Sequence, residues 1–273
     1  MPEVVIRGAR LSYLERGKGP PVVFSHGFLW SGRMFDAQVA ALESRFRCIA
    51  YDHRGQGKSE VTESGYTIDE LTDDAAALIQ QLGAAPCHFV GLSMGGFIGM
   101  RLAARRPELL KSLSLVETSS GAEPPFKVVK YRALMAIARV AGLKPVSGAA
   151  MKTMFGRKFL TDPSRAGLRA EQQRLLEANS LQGVLRTLKS AVVERPPIEG
   201  ELSKIRCPTL VMVGDQDVAT VPAKAERIHA LIAGSKLVVI PGAGHTSSVE
   251  EPEAVNASLV PFIEGCEAAG LSR

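Results

Sequence analysis

The strongest chemical signal in this sequence is a serine flanked by glycines, in the segment Gly91-Leu92-Ser93-Met94-Gly95. An apolar segment typical of a buried strand precedes it, and an amphipathic helical pattern follows it. Where G-x-S-x-G joins a strand to a helix, the serine lies on a sharp, strained turn with its hydroxyl exposed above the sheet. The alternative is a tight turn whose glycines serve only packing. We predict that Ser93 is a nucleophile.

A serine hydroxyl becomes an effective nucleophile only when an oriented base removes its proton. Of the five histidines, His245 ends a glycine-rich loop (PGAGH, 241–245) that directly follows a predicted strand. Such a loop lets an imidazole reach across the carboxyl edge of a sheet, where open α/β folds place their sites. The others are predicted in a strand, in a helix or at other strand ends (His26, His53, His88, His229). We predict that His245 is the general base; the alternative is an exposed loop histidine.

Two aspartates compete for the role of the acid that orients this histidine. Asp215 and Asp217 both follow a predicted strand at residues 209–213. A carboxylate there can accept the imidazole Nδ1–H and hold the tautomer that a base needs. The chain order serine, aspartate, histidine is an order known for such sites. It supports the set without choosing between the two aspartates.

Negative charge that develops on a carbonyl oxygen needs backbone N–H donors, and removing one donor typically costs about 3 kcal/mol of transition-state stabilisation. Met94 follows the nucleophile at the start of a predicted helix, where the helix dipole also favours an anion. The loop after an earlier strand, Ser25-His26-Gly27-Phe28, predicts Phe28 as the second donor. We expect these two amides to form an oxyanion hole.

The elements that position these residues follow an α/β rhythm, in which short apolar runs alternate with longer helical patterns. Seven strands are predicted, at residues 11–15, 21–25, 46–51, 87–92, 112–116, 209–213 and 237–240. Their continuous β-branched character is typical of parallel strands buried on both faces. A capping box of Thr67 and Glu70 predicts a helix that runs to Leu82, and another helix is expected at 97–105.

The segment from Gly121 to about Pro197 breaks this rhythm, because it holds only helical patterns, at 128–140, 169–178 and 181–193. We interpret it as a helical lid inserted between two strands. Its apolar side chains predict either an acyl pocket or the lid's own core (Leu134, Met135, Ile137, Val140, Met151, Met154, Phe155, Phe159). Trp30, close to Phe28, is expected to contact substrate; the alternative is that it packs beneath the pocket.

Composition and charge exclude several classes of function. The chain has 273 residues and a net charge of +5, and residues 121–200 hold 14 Lys or Arg against 6 Asp or Glu. These charges are dispersed, so we interpret them as a solvated surface rather than a nucleic-acid site. The four cysteines form no C-x-x-C pair, so neither a metal nor a disulfide framework is expected. No secretory signal or membrane span is visible, which predicts a cytoplasmic protein without a membrane partner.

Five motifs together resemble the α/β-hydrolase family: SHGF (25–28), YDHRGQGKS (51–59), GLSMGG (91–96), GDQD (214–217) with VP (221–222), and GAGH (242–245). The resemblance implies a mostly parallel eight-stranded sheet flanked by helices, with an inserted helical cap. It aligns the acid with Asp217 and gives Asp52 and Arg54 a supporting, non-catalytic role. It also implies a core domain of residues 1–120 and 198–273 and a cap of residues 121–197.

The function that the resemblance implies is hydrolysis of carboxylic esters, lactones included, of small apolar substrates through an acyl-enzyme, with no cofactor. A serine at position 93 argues against relatives that use an aspartate there, the haloalkane dehalogenases and epoxide hydrolases. Two alternatives stay open. One is an enol-lactone or meta-cleavage C–C bond hydrolase; the other is a non-catalytic ligand receptor on the same fold.

Overall fold

Eight strands form one sheet in the structure, a computed structural model that describes residues 1–271. They are β1 (Glu3–Ile6), β2 (Ala9–Arg16), β3 (Pro21–Ser25), β4 (Arg47–Tyr51), β5 (Cys87–Leu92), β6 (Leu110–Val116), β7 (Thr209–Gly214) and β8 (Lys236–Ile240). Their order is β1-β2-β4-β3-β5-β6-β7-β8. β2 pairs antiparallel with β1 and β4, and all other neighbours are parallel. The predicted α/β class with a mostly parallel eight-stranded sheet is confirmed.

The seven predicted strands are all present. The central strands β3 to β7 are almost entirely buried, as expected for parallel strands that are covered on both faces. Every residue of β5 and of β7 is buried. The sequence does not predict β1, a four-residue edge strand whose apolar run is only three residues long, with Ile6 its only buried residue. A tight turn joins β1 to β2 through Arg7 and Gly8, both with positive φ (47° and 79°), as hairpin turns require.

Eleven α-helices are found within residues 1–271: α1 (Asp36–Leu42), α2 (Ile68–Gln81), α3 (Met94–Arg105), α4 (Pro125–Ala141), α5 (Lys144–Met154), α6 (Arg157–Thr161), α7 (Ala166–Glu177), α8 (Leu181–Thr187), α9 (Pro222–Leu231), α10 (Ser247–Glu250) and α11 (Pro252–Leu271). α2 begins with the predicted capping box: Thr67 Oγ1 accepts from the Glu70 amide, and Glu70 Oε2 accepts from the Thr67 amide. α3 begins at Met94, three residues before the predicted start, directly after Ser93.

The segment between β6 and β7 is helical, as expected, and holds α4 to α8. The three predicted helices correspond to α4, to α7, and to α8 with the π-helical turn Leu188–Val193 that continues it. The sequence does not predict α5 and α6. α5 begins with Lys144-Pro145 and contains Gly148, and α6 has only five residues, so neither shows a strong apolar period.

The parallel strands end at one edge of the sheet, and the loops after β3, β5, β7 and β8 carry the residues singled out by the sequence. Phe28, Ser93, Asp217 and His245 lie on these four loops. Since the four strands run in the same direction, their following loops meet above the same edge. Among residues 1–271, no helix has both the length and the apolar character needed to cross a bilayer.

Candidate active site

The turn between β5 and α3 holds Ser93 in a strained conformation, with φ 52° and ψ −107°. A side chain persists at such angles only when its surroundings enforce them. Two glycines make the turn possible, because a Cβ at Gly91 would lie 2.3 Å from the Gly95 carbonyl oxygen and a Cβ at Gly95 would lie 1.9 Å from the Ser25 carbonyl oxygen. The backbone thus passes too closely here for any residue except glycine.

We expect Gly95→Ala to lower the free energy of unfolding by about 3 kcal/mol, because the new methyl group meets backbone that cannot move without shifting β3. The matched control is Gly148→Ala in α5, where a Cβ would meet nothing within 4 Å. That variant should gain about 0.5–1 kcal/mol, since alanine favours a helix interior over glycine. Urea unfolding measures both, and equal stability of the two variants would contradict the packing argument.

A chain of hydrogen bonds joins Ser93, His245 and Asp217. The distance from Ser93 Oγ to His245 Nε2 is 2.8 Å, and that from His245 Nδ1 to Asp217 Oδ2 is 2.9 Å. Because a carboxylate only accepts, Nδ1 carries the proton, and Nε2 is left free to accept from the serine hydroxyl. His245 and Asp217 are both buried, each with 3% of the residue exposed. The structure therefore brings the three residues together in the order that general-base activation of a serine needs.

The surroundings of Asp217 keep its carboxyl group ionised. Burial alone would raise its pKa, but the electrostatic interaction with His245 and hydrogen bonds from His245 and Thr220 hold the pKa below its ordinary value. Oδ1 accepts from the amides of Ala219 and Thr220, at 2.7 and 2.8 Å, and Oδ2 accepts from the Thr220 hydroxyl at 2.7 Å. Asp215, by contrast, is exposed and accepts from the Gly242 amide at 2.8 Å. Of the two candidate acids, only Asp217 contacts the histidine.

Glu250, which sequence reasoning missed, holds the loop that carries His245. Its carboxylate accepts from the amides of Gly244 and Thr246 on either side of the histidine, at 3.0 and 3.1 Å, and from the amide of Gly156 at 2.7 Å. Burial raises its pKa, although these same hydrogen bonds act to lower it. The sequence signal is weak, since a carboxylate five residues after a histidine in a short helix has many other uses.

The predicted oxyanion donors belong to the residue after the serine and to the loop after β3. Met94 is the first residue of α3, so its amide has no acceptor within the helix. The Phe28 amide donates to no acceptor in the described part of the chain, residues 1–271. The loop of Phe28 lies beside the nucleophile, because a Cβ at Gly27 would be 3.5 Å from Ser93 Cβ. Both amides are therefore available to an oxygen bound next to Ser93.

His26 orients the peptide that contains the Phe28 amide. Its Nε2 accepts from the His53 amide at 2.9 Å, so the proton lies on Nδ1, which donates to the Gly27 carbonyl oxygen at 2.7 Å. The Gly27 carbonyl and the Phe28 N–H belong to one planar trans peptide and point in opposite directions. Burial lowers the pKa of His26 and so favours the neutral ring that this arrangement needs. A hydrogen bond on one side of the peptide thus sets the direction of the donor on the other.

Asp52 and Arg54 lie behind the site and contact neither Ser93 nor His245. Asp52 accepts from the amides of Gly32 and Lys58, both at 2.8 Å, which closes the loops after β3 and β4. Arg54 forms two hydrogen bonds with Asp74 on α2, at 2.8 and 2.9 Å. These contacts agree with the supporting role that the resemblance implies.

A cavity that is partly open to solvent lies beside Ser93 and His245. Phe28 and Thr220 line its inner end, and α4, α5 and α8 supply most of the remaining wall. The predicted apolar residues of the insertion divide into three groups. Some line the cavity (Leu134, Met135, Met154), others are buried within the insertion (Met151, Phe155, Phe159), and two are exposed (Ile137, Val140).

Trp30 does not line this cavity, which corrects the expected contact with substrate. Its indole lies against a second cleft, and its Nε1–H donates to Gln172 Oε1 on α7 at 2.7 Å. Its ring packs edge-on against Phe155 with the centroids 5.8 Å apart. The indole is a buried hydrophobic body with one polar atom, so it anchors the insertion to the loop after β3 rather than facing a ligand.

Neither the cysteines nor a cluster of metal-type ligands forms a further site within residues 1–271. The four cysteines are free thiols, and Cys48 and Cys87 are buried. No three His, Cys, Asp or Glu side chains in this part of the chain are grouped as metal ligands.

Comparison with known proteins places the chain in a family. Residues 20–252 match the model of the alpha/beta hydrolase fold. A protein named putative carbamate hydrolase RutD, from Caulobacter sp. (strain K31), is 32% identical over 245 residues, 89% of this chain and 90% of that protein.

Two solved structures are similar over almost the whole chain. The enol-lactonase from Burkholderia xenovorans LB400 has a TM-score of 0.89 and 28% identity, and covers 96% of this chain and 100% of its own. A thermophilic esterase from Thermogutta terrifontis has a TM-score of 0.89 and 27% identity, and covers 97% and 98%. The match to the family model spans most of the sequence, and this protein belongs to the alpha/beta hydrolase fold family.

Proposed function

We propose that this chain is a serine hydrolase that cleaves carboxylic esters, lactones included, of small and largely apolar substrates. The observation that carries the proposal is the continuous chain of hydrogen bonds from Ser93 Oγ through His245 to Asp217, which opens onto an apolar cavity. In this proposal residues 121–197 act as a cap over a core made of residues 1–120 and 198–273.

The first half of the reaction forms an acyl-enzyme. Ser93 Oγ attacks the carbonyl carbon while His245 Nε2 takes the hydroxyl proton, and the carbonyl oxygen becomes an anion. The amides of Phe28 and Met94 donate to that oxygen, where preformed dipoles stabilise the charge without reorganisation. His245 then gives its proton to the leaving alkoxide oxygen as the carbon–oxygen bond breaks. The alcohol leaves, and the acyl group remains on Ser93.

The second half uses water in place of the alcohol. His245 takes a proton from water, and the hydroxide oxygen attacks the acyl carbon. The resulting intermediate again places its negative oxygen at the two amides. When the bond to Ser93 Oγ breaks, His245 returns a proton to the serine, and a carboxylic acid leaves. The net change is ester plus water to acid plus alcohol, with the enzyme regenerated.

In this proposal the cavity binds an uncharged, apolar acyl or alcohol group of the substrate. Its wall is mostly apolar, although Glu123 and Lys130 also line it, and His245 and Thr220 lie at its contact with the triad. Apolar groups gain about 25 cal/mol for each Å² that they remove from water. Two relatives of known structure support an ester or lactone substrate, since one is named an enol-lactonase and the other an esterase, whereas the relative from Caulobacter is named a putative carbamate hydrolase.

A substrate panel tests the proposal. We expect turnover of the esters p-nitrophenyl acetate and p-nitrophenyl butyrate, or of a simple lactone. The kcat/KM for the better of these two classes should be at least about tenfold above the values for a p-nitrophenyl carbamate and for a vinylogous diketone. Turnover of the diketone alone would make the chain a C–C bond hydrolase, and turnover of the carbamate alone would match the relative from Caulobacter. A fluorophosphonate probe should label Ser93. Ligand binding without labelling or turnover would identify a receptor instead.

A further inference from the structure

The outer surface of α4 carries a stripe of exposed apolar side chains. The α4 stripe consists of Phe126, Val129, Ala133, Ile137 and Val140. Phe126 is 71% exposed, Val129 68%, Ile137 48% and Val140 91%. The spacing of three, four, four and three residues keeps them on one side of the helix, over a length of about 21 Å at 1.5 Å per residue. Single exposed apolar residues are common, but a continuous stripe marks a binding surface.

The opposite side of α4 already has a role, since Leu134, Met135 and Ala138 line the cavity beside Ser93. Met135 and Ala138 are buried, at 7% and 3% exposure. The α4 stripe therefore does not serve to attach the helix to the rest of the protein. It faces outward from a helix that is already held by its other side.

The charges of α4 are all positive. Its four charged residues are Lys127, Lys130, Arg132 and Arg139, and it contains no aspartate or glutamate. At 100° per residue, Lys130 lies along one border of the α4 stripe, while Arg132 and Arg139 lie along the other. Lys127 reaches the backbone oxygen of Ala219 at 2.5 Å. The stripe is thus bordered by cations on both sides.

This pattern favours one kind of partner. A second copy of the chain, packed on the stripe by a two-fold axis, would place cationic borders against each other at a cost in like-charge repulsion. An anionic lipid surface meets both features, because apolar side chains enter the boundary of the acyl region while Lys and Arg contact the headgroups. We propose that the α4 stripe docks the protein on the surface of an anionic lipid bilayer, with α4 lying in the plane of the surface.

In such docking α4 would lie between the lipid and the cavity, because one face of this helix carries the stripe and the opposite face lines the cavity. This is peripheral binding by one amphipathic helix and requires no spanning segment. It departs from the expectation of no membrane partner, which the sequence suggested because no segment is long and apolar enough to span. A search for spanning segments does not detect an apolar stripe on one face of α4, because the other positions of this helix are cationic or face the cavity.

Vesicle sedimentation tests the proposal with the Ser93→Ala chain, so that binding is measured without hydrolysis of lipid esters. We expect binding to vesicles of phosphatidylglycerol and phosphatidylcholine in equal parts, and at least about tenfold weaker binding to pure phosphatidylcholine. Adding Phe126→Ser, Val129→Ser and Val140→Ser together should weaken binding to the mixed vesicles at least about tenfold. The matched control is Val5→Ser with Val239→Ser, which removes exposed apolar side chains at the two sheet edges and should leave binding unchanged.

Three results would overturn the proposal. The first is equal binding by the stripe variant and the control variant, and the second is no binding of the parent chain to anionic vesicles. The third is a concentration-dependent dimer in sedimentation velocity that the stripe variant abolishes, which would assign the surface to a second copy. Built on the wild-type chain, the stripe variant should hydrolyse soluble p-nitrophenyl butyrate within about twofold of wild type, because none of its three positions lines the cavity.

Discussion

Replacing Ser93 by alanine is expected to lower kcat/KM for ester hydrolysis by a factor of about 10⁴ or more, which is the scale at which residues of such a set act. The alanine removes the atom that bonds to the carbonyl carbon, and no other hydroxyl lies within hydrogen-bond distance of His245 Nε2 among residues 1–271. The measurement is steady-state kinetics on p-nitrophenyl butyrate, with fluorophosphonate labelling of the same preparations.

The structure offers a matched control for this variant in Ser248. This serine is also buried and lies three residues after His245, but its hydroxyl has no hydrogen-bond partner within the described chain. Ser248→Ala should therefore keep activity within about threefold of wild type. If Ser93→Ala retained more than about a tenth of the activity, covalent catalysis by this residue would be ruled out and the proposed function with it.

Asp217→Asn is expected to lower kcat by about 10³–10⁴-fold, while Asp215→Asn changes it little. The reason is the set of donors around the carboxylate. Oδ1 accepts from the amides of Ala219 and Thr220, so the single oxygen of an asparagine would occupy that position. Its NH₂ group would then face His245 Nδ1 and donate to it. His245 would then be in the tautomer that carries its proton on Nε2, and this nitrogen could not accept the proton of Ser93.

The comparison of the two variants is the sharpest test of which aspartate is the acid. Asp215 lies two positions earlier, accepts one backbone hydrogen bond from Gly242 and is exposed, so its amide variant is a matched control. The reverse pattern, a large loss for Asp215→Asn only, would move the acid by two residues. Near-wild-type kcat for both variants would show that neither carboxylate orients the histidine.

The free energy of unfolding should also depend on pH differently in wild type and in Asp217→Asn. The pKa of Asp217 is lower in the folded protein than its ordinary value, so the stability that this group contributes is complete above the unfolded pKa, about 3.9. It is lost as the pH falls through the folded pKa. Wild type should therefore lose an increment of unfolding free energy on acidification that Asp217→Asn does not, as measured by urea unfolding between neutral and acid pH.

Much of the fold and half of the site follow from local patterns. The buried central strands β3 to β7 are visible as apolar runs, and β2 and β8 are also predicted, whereas the short edge strand β1 is not. Ser93 is visible because a strained turn demands glycines on both sides at fixed spacing. His245 is visible because a glycine-rich loop follows a strand. In each case the physical cause lies within a few residues of the signal.

What the sequence by itself determined is the order of seven strands and of the helices with a clear apolar period, the nucleophile turn and the histidine loop. Local pattern left Asp215 and Asp217 open, and only the resemblance indicated Asp217, the aspartate that contacts His245. Tertiary structure decided that Trp30 packs against the segment between β6 and β7, that Glu250 holds the histidine loop and which face of α4 is left exposed. These outcomes depend on the approach of segments distant in the sequence, or on which side of an element is covered. Periodicity shows that a helix has an apolar face, but packing alone determines what covers it.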